Sequence, residues 1–205
     1  MGTERGFRRL ENFSDAVVAI AITLLILPLA DSASAIGPGS LWPFLHAHAS
    51  QFLAFGLSFA VIGSYWWGQH QMLEHVVGYD RLLIGGMFAW ILSIVFLPFP
   101  TELLSAATNG GQGVHGLYIG TMVIASLSGL VQQWAIIRTP DLTEEGHRGE
   151  ADLIGITTMT VLMAVILVVA VAVPTIGLWA LLLLLAARPV ERSVRARRTR
   201  ARTAG

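Results

Sequence analysis

The sequence reads as an all-α membrane protein with six transmembrane helices per subunit. Three observations carry that reading. First, 54% of the 205 residues are hydrophobic and only 13% are charged, against about 25% charged in an ordinary soluble domain. Second, the apolar residues fall in long runs separated by short connections, and mean hydropathy is +0.66. Third, all 13 cationic side chains are arginines, and six crossings place every one of them on the same side of the membrane. A spanning helix needs roughly 20 apolar residues, so six use about 120 positions and leave no room for a soluble catalytic domain. The absence of cysteine removes disulfides, thiolate metal sites and cysteine nucleophiles.

The six apolar segments run over 13–30, 50–69, 82–99, 115–137, 152–172 and 174–187. The fifth and sixth meet at Pro174 with no polar loop between them. They form either a tight hairpin or one long broken helix. The hairpin is preferred, because about 36 apolar residues exceed one crossing even with tilt. Residues 1–187 therefore make a single six-helix domain, and 188–205 a basic tail. Arg5, Arg8, Arg9, Arg81, Arg138 and Arg148 precede a tail with Arg188, Arg192, Arg195, Arg197, Arg198, Arg200 and Arg202. The connections 31–49 and 100–114 hold no arginine. Positive charge stays inside, so both termini are expected in the cytoplasm. Trp66, Trp67 and Trp134 near the inner ends and Trp42 near the outer end sit where interfacial aromatics belong. The tail is read as a segment held at anionic lipid, not as a nucleic-acid site.

The N-terminus imitates a signal peptide. Arg8 and Arg9 precede an apolar run and then Ala33-Ser34-Ala35, an A-x-A pattern that follows paired arginines. Glu11 and Asp15 interrupt the approach, and the run Ala16 to Ala30 is at the upper limit for such a segment. The reading here is a first membrane span.

Three motifs carry a resemblance. Arg9-Leu10-Glu11-Asn12-Phe13-Ser14-Asp15 is R-x-x-x-F-S-D, leading into an apolar helix. Phe96-Leu97-Pro98-Phe99-Pro100-Thr101 ends the third span, and Trp67-Gly68-Gln69-His70 lies at the inner end of the second. Together they resemble the bacterial branch of the transmembrane protein 175 family of potassium channels, over the first half of the chain. The second half matches in hydropathy and span count alone. The resemblance implies a six-helix subunit forming a homotetramer around a central pore lined by the first helix. It implies a constriction of apolar side chains, not of carbonyls. The position five residues after the motif aspartate is Ile20, and the further lining positions are Leu24 and Leu27, with a threonine layer at Thr23. It also implies a structural role for the R-x-x-x-F-S-D residues, so Arg9, Phe13, Ser14, Asp15, Trp67 and His70 are expected to form a packing and hydrogen-bond network.

Helix geometry tests the stripe independently. At about 100° per residue, Leu24 lies roughly 40° from Ile20, Leu27 roughly 20° to the other side and Thr23 about 60° away. The four share one face. Asp15 lies about 140° from Ile20 and points elsewhere; an ionisable group there must find a partner or interfacial water. An apolar face on a membrane helix is ordinarily lipid-facing or packed, and the motif is what makes it a pore candidate.

In that reading four Ile20 side chains leave a narrow dry neck. An ion must shed part of its water to pass, and potassium sheds it more easily than sodium. Selection is moderate, because no ligand rewards the right size. Thr23 hydroxyls steady a partly dehydrated ion, and closing the neck dewets it. No cofactor is expected beyond the permeant potassium ion, and no dedicated metal site.

Val76-Val77-Gly78-Tyr79-Asp80 echoes the V-G-Y core of a carbonyl filter. Such a filter needs a re-entrant helix and loop, and none precedes it here; Gly78-Tyr79-Asp80 reads as an interhelical turn. His46 and His48 are too few for a metal site. His70 and His75 are badly spaced for one helical face, and His115 and His147 are isolated. Asp141, Glu144, Glu145, Glu150 and Asp152 form a solvated inner loop. Gly116 and Gly120, with Ser126 and Gly129 beyond, read as a close helix-packing face. Phosphate-loop, dinucleotide and nucleophile-elbow signatures are missing.

The sequence departs from the family in its third span, which lacks an asparagine often found there; Ser93 is its only polar side chain, so the partners of Ser14 and Asp15 shift towards His70 or Ser93. The first reading is a potassium-favouring channel in a bacterial plasma membrane. A proton-permeable or poorly selective leak channel on the same fold is the second. A small transporter or non-conducting scaffold is the third, disfavoured by the lack of Asp, Glu or His within spans four to six except at their ends and of an internal repeat.

Overall fold

The computed structural model describes residues 2–34, 41–106 and 112–145. The fifth and sixth predicted spans and the basic tail lie outside the described residues. Those described are helical almost throughout. Helix α1 (Glu4–Leu24) continues into α2 (Leu27–Ser34); a short α3 (Leu41–Ala47) meets α4 (Ala49–Leu73); α5 (Arg81–Phe96) continues into α6 (Pro98–Ala106); α7 (Gln112–Arg138) ends in a 3-10 turn at Pro140–Leu142.

Three of these runs are long and apolar enough to cross a membrane, namely Glu4–Ala33, Arg81–Ala106 and Gly113–Arg138. Leu41–Ala47 and Ala49–Leu73 make a fourth when taken together, bent by 67°. These are the first four spans expected from hydropathy, and the chain is a membrane protein.

Several helices start or break for a visible reason. Thr3 caps α1 by accepting a hydrogen bond from the Gly6 amide at 3.3 Å, and Asp80 caps α5 by accepting from the Leu83 amide at 2.7 Å, as N-cap side chains do. The α1–α2 break precedes Pro28, which has no amide hydrogen to give the Leu24 carbonyl. The turn tightens there: the Leu25 and Ile26 amides reach back three residues, to Ile22 and Thr23, at 3.3 Å each. Pro98 occupies the first position of α6, where a missing amide costs least.

The end expected from charge to be the inner one is fixed by a cluster of Phe7, Leu73, Val76, Leu83, Met87, Ala135, Ile136 and Leu142. It joins the start of α1, the end of α4, the start of α5 and the end of α7, so the helices alternate in direction. Arg5, Arg8, Arg9, Arg81 and Arg138 therefore gather at this one end. A second cluster fills the middle and outer half, with Val18, Ala21 and Leu25 of α1 packed among Ile62, Trp90, Ile94, Tyr118 and Met122.

Apolar contact alone does not hold helices together in lipid, which is as apolar as leucine; close packing and hydrogen bonds do. Polar layers tie α4 to its neighbours. Ser58 Oγ lies 2.8 Å from Thr101 Oγ1 and 3.2 Å from the Tyr118 hydroxyl. The Tyr65 hydroxyl lies 2.7 Å from Ser126 Oγ. Gln69 donates to Gln132 Oε1 at 2.6 Å. Gly86 allows the close approach of α5 to α7: a methyl group there would stand 2.6 Å from Gln132 Cγ and 3.2 Å from the Ser128 carbonyl.

That corrects one sequence expectation. Among the described residues a methyl group on Gly116, Gly120 or Gly129 would meet nothing within 4 Å, so the close helix packing there uses Gly86 and not the G-x-x-x-G pair. The spacing is the same on any helix face, and only the neighbour decides whether it is used. The V-G-Y echo is an inner connection: Val76 pairs with Thr143 in an antiparallel bridge, and the Tyr79 carbonyl accepts from the Gly2 amide at 2.9 Å.

Candidate conduction surface

Helix α1 has two faces of similar composition and opposite fate. Phe7, Ser14, Val18 and Ala21 are buried, and Leu25 and Leu29 continue that stripe beyond the tightened turn. The opposite face is uncovered. Ile20 is 59% exposed, Leu24 40% and Leu27 50%, and Thr23 is exposed between them. Four side chains that helix geometry groups on one face are thus found together on the surface of the subunit.

Thr23 has a defined polarity there. Its hydroxyl donates to the Ile20 carbonyl at 2.7 Å. The proton is engaged, so the oxygen presents only lone pairs to whatever faces the stripe. An apolar strip with an outward acceptor suits a desolvated cation better than an anion.

The rotation of α1 is set at its inner end. The Trp66 indole Nε1 donates to Asp15 Oδ1 at 2.8 Å. Trp66 also stacks on His70, with ring centroids 5.7 Å apart and planes 18° apart. Asp15 is therefore clasped to α4, on the side of α1 away from Ile20. A hydrogen bond to a carboxylate is among the stronger kinds, and it fixes which way the stripe looks.

The expected network is assembled only in part. Asp15 and His70 are joined, with Trp66 between them. Trp67, expected as the aromatic member, lies out of the clasp: it is exposed and meets only the edge of the cluster, 6.0 Å from His70. Helix phase explains the exchange. Trp66 is four residues before His70 and four after the buried Ile62, so it shares their face, whereas Trp67 is turned by about 100°. The sequence held this signal in the spacing of Trp66 and His70. Ser14 is buried beside Asp15 on α1, while Phe13 and Arg9 are exposed. The ion pair of that turn is Arg8 with Glu11 at 3.2 Å. Ser93 turns back to its own helix, donating to the Ala89 carbonyl at 2.8 Å, and is not the substitute for the missing asparagine. Among the described residues no three His, Asp or Glu side chains converge as a metal site.

Comparison with known proteins accords with this arrangement. The family model for the endosomal/lysosomal potassium channel TMEM175 matches residues 9–98, the stretch that holds most of α1 and the Trp66–His70 face. A potassium channel of Streptomyces collinus is 36% identical over 137 residues, covering 65% of this chain and 66% of its own. A potassium channel of Chamaesiphon minutus is 30% identical over 162 residues, covering 71% of this chain and 74% of its own. An endosomal/lysosomal proton channel TMEM175 of Rattus norvegicus is 38% identical over 109 residues, which are 48% of this chain and 21% of that one. The chain thus spans a little under two thirds of the Streptomyces relative and a small part of the rat one. The crystal structure of a lysosomal potassium-selective channel TMEM175 homolog from Chamaesiphon minutus superposes with a TM-score of 0.67, over 89% of this chain and 96% of that one at 23% identity, so the two share a fold. Taken with the R-x-x-x-F-S-D motif and the uncovered stripe that follows it, these matches establish that the chain belongs to the TMEM175 family, a family of ion channels and not of enzymes.

Proposed function

We propose that the protein is a cation channel favouring potassium, in which four six-helix subunits place the uncovered stripe of α1 around a shared axis. The observation that carries this is the stripe itself: Ile20, Leu24 and Leu27 uncovered with the outward lone pairs of Thr23 among them. The relatives named as potassium channels support the ion. The subunit sits in a bacterial plasma membrane with both termini in the cytoplasm and the tail 188–205 at anionic lipid, and it uses no cofactor.

Selection follows from dehydration. The ring of Ile20 forces an ion to give up water and offers nothing in exchange, which costs sodium more than potassium. Thr23, about one turn further along, returns part of the lost coordination through its oxygen. The resulting preference is moderate, and narrowing the same neck closes it by dewetting.

Planar bilayers with potassium and sodium on opposite sides test the reading. Ile20→Ala widens the neck, and the reversal potential is expected to move towards zero as the potassium-to-sodium permeability ratio falls roughly ten-fold, a loss of about 1.4 kcal/mol of discrimination. An unchanged ratio in a conducting Ile20→Ala channel removes Ile20 from the role. The names of the rat and mouse relatives favour a second reading, a proton-permeable channel on the same fold. It is distinguished by a reversal potential that follows the pH gradient instead of the potassium gradient.

A further inference from the structure

Asp31 extends the stripe to the outer end of the helix. It stands eleven residues beyond Ile20, which is about three turns, or roughly 16 Å, and within about 20° of the same direction. The tightened turn at Leu25 and Ile26 adds at most a few tens of degrees, roughly 20° per residue. The pattern of burial fits this phase: Leu25 and Leu29 are buried, while Asp31, about 160° round from Leu29, is exposed. Its helix is braced, since Ser32 Oγ lies 2.9 Å from the Pro28 carbonyl and 3.0 Å from Gln51 Oε1 of α4.

Charge placement points the same way. Between 31 and 49 and between 100 and 114, Asp31 and Glu102 are the only Asp, Glu, Lys or Arg residues, and both are acidic. The described helices gather arginines at the opposite end. An approaching cation therefore meets an acidic outer face, with Asp31 the carboxylate in line with the stripe.

We propose that Asp31 sets the rate of cation entry: four copies form a carboxylate ring at the outer mouth that concentrates monovalent cations in front of the Ile20 neck. The proposal rests on the channel reading above, because the four carboxylates converge only if α1 lines a common axis. Concentration by a ring of charge needs no direct coordination. It raises conductance without changing which ion the neck prefers, since potassium and sodium carry the same charge. Rings of acidic side chains serve this purpose in cation-selective pores generally.

The test is single-channel current from the outer side in symmetrical potassium chloride, at about 10 mM, where charge acts over roughly 30 Å, and at about 1 M, where it acts over roughly 3 Å. Asp31→Asn is expected to lower the inward current roughly two- to ten-fold at low salt, the modest end of electrostatic focusing, and to match the parent at high salt. Asp31→Glu keeps the current. The potassium-to-sodium reversal potential stays put in both. Because the chain has no cysteine of its own, Asp31→Cys allows a comparison free of folding effects. A cationic thiol reagent added outside lowers the inward current of the same channel, and an anionic one raises it. Parental current at low salt in Asp31→Asn, or the same response to both reagents, overturns the proposal; if Ile20→Ala still shifts the reversal potential, the channel reading survives that failure. If Ile20→Ala shifts nothing either, both fall together.

Discussion

The uncovered face of α1 and the interior between α4 and α7 are both candidates for a route through the membrane, and they are built oppositely. The interior is the more polar. It stacks Ser58 with Thr101 and Tyr118, Tyr65 with Ser126, and Gln69 with Gln132. The face of α1 offers aliphatic carbons and one hydroxyl oxygen. Polarity alone would favour the interior as the path. Hydrogen bonding reverses the choice, because nearly all of these interior groups are spent on each other and serve as glue between helices; among them Gln132 Nε2 alone is buried without a partner among the described residues. Thr23 spends its proton on its own helix and keeps its oxygen outward. A conduction surface needs polar groups that are available, not merely numerous.

That contrast predicts that interior variants change stability and leave permeation alone, while α1 variants do the reverse. The largest effect is expected from Gly86→Val. Its side chain would collide with Gln132 and the Ser128 carbonyl, and overpacking of this kind costs about 1–3 kcal/mol or more. Heating the solubilised protein and following its size in solution should show earlier loss of the folded particle, with an unchanged permeability ratio in the channels that survive. A changed ratio there would bring the interior back as a route. Thr23→Val comes next. It preserves shape and removes the oxygen, so potassium conductance should fall several-fold, by roughly the worth of one hydrogen bond in all, at unaltered thermal stability; Thr23→Ser should retain the current. Trp66→Phe should act more weakly. It deletes the donor to Asp15, costing about 1 kcal/mol, and any loss of selectivity should come with that loosening. Trp67→Phe should do less still, which sharpens the distinction between the two tryptophans.

Much of this was legible in the sequence, and the failures have physical causes. Hydropathy located the four described spans because each is a long apolar run. It placed the start of the first at 13, whereas the helix begins at Glu4, since the first two and a half turns carry charges that lower their hydropathy. It ended the third at 99, whereas α6 carries on to Ala106, because prolines at 98 and 100 look like a stop but suit a first helical turn. Helix α3 is seven residues long, too short for periodicity to register. Helix angle groups Ile20, Thr23, Leu24 and Leu27 on one face and turns Asp15 from it, and in the structure that face is exposed while Asp15 accepts from Trp66. That partner was not legible, because adjacent tryptophans differ only by helix phase, and that phase is fixed by what Ile62 and His70 pack against. Gly86 was hidden for a similar reason: a glycine's use depends on the neighbouring helix, and the more regular Gly116–Gly120 pair has no neighbour within 4 Å among the described residues.

Conduction along α1 depends on the direction in which Ile20 looks, and one measurement reaches that direction most directly. In Ile20→Cys, the only thiol of the chain would sit on the stripe. Silver ion, a thiol-reactive monovalent cation that travels only through water, is applied to single channels in a planar bilayer. Rapid, lasting block of the current, absent in the parent, is the expected result. Undiminished current through Ile20→Cys channels in silver, with the thiol reacting only to a lipid-soluble reagent, would place that side chain in the bilayer and contradict the account.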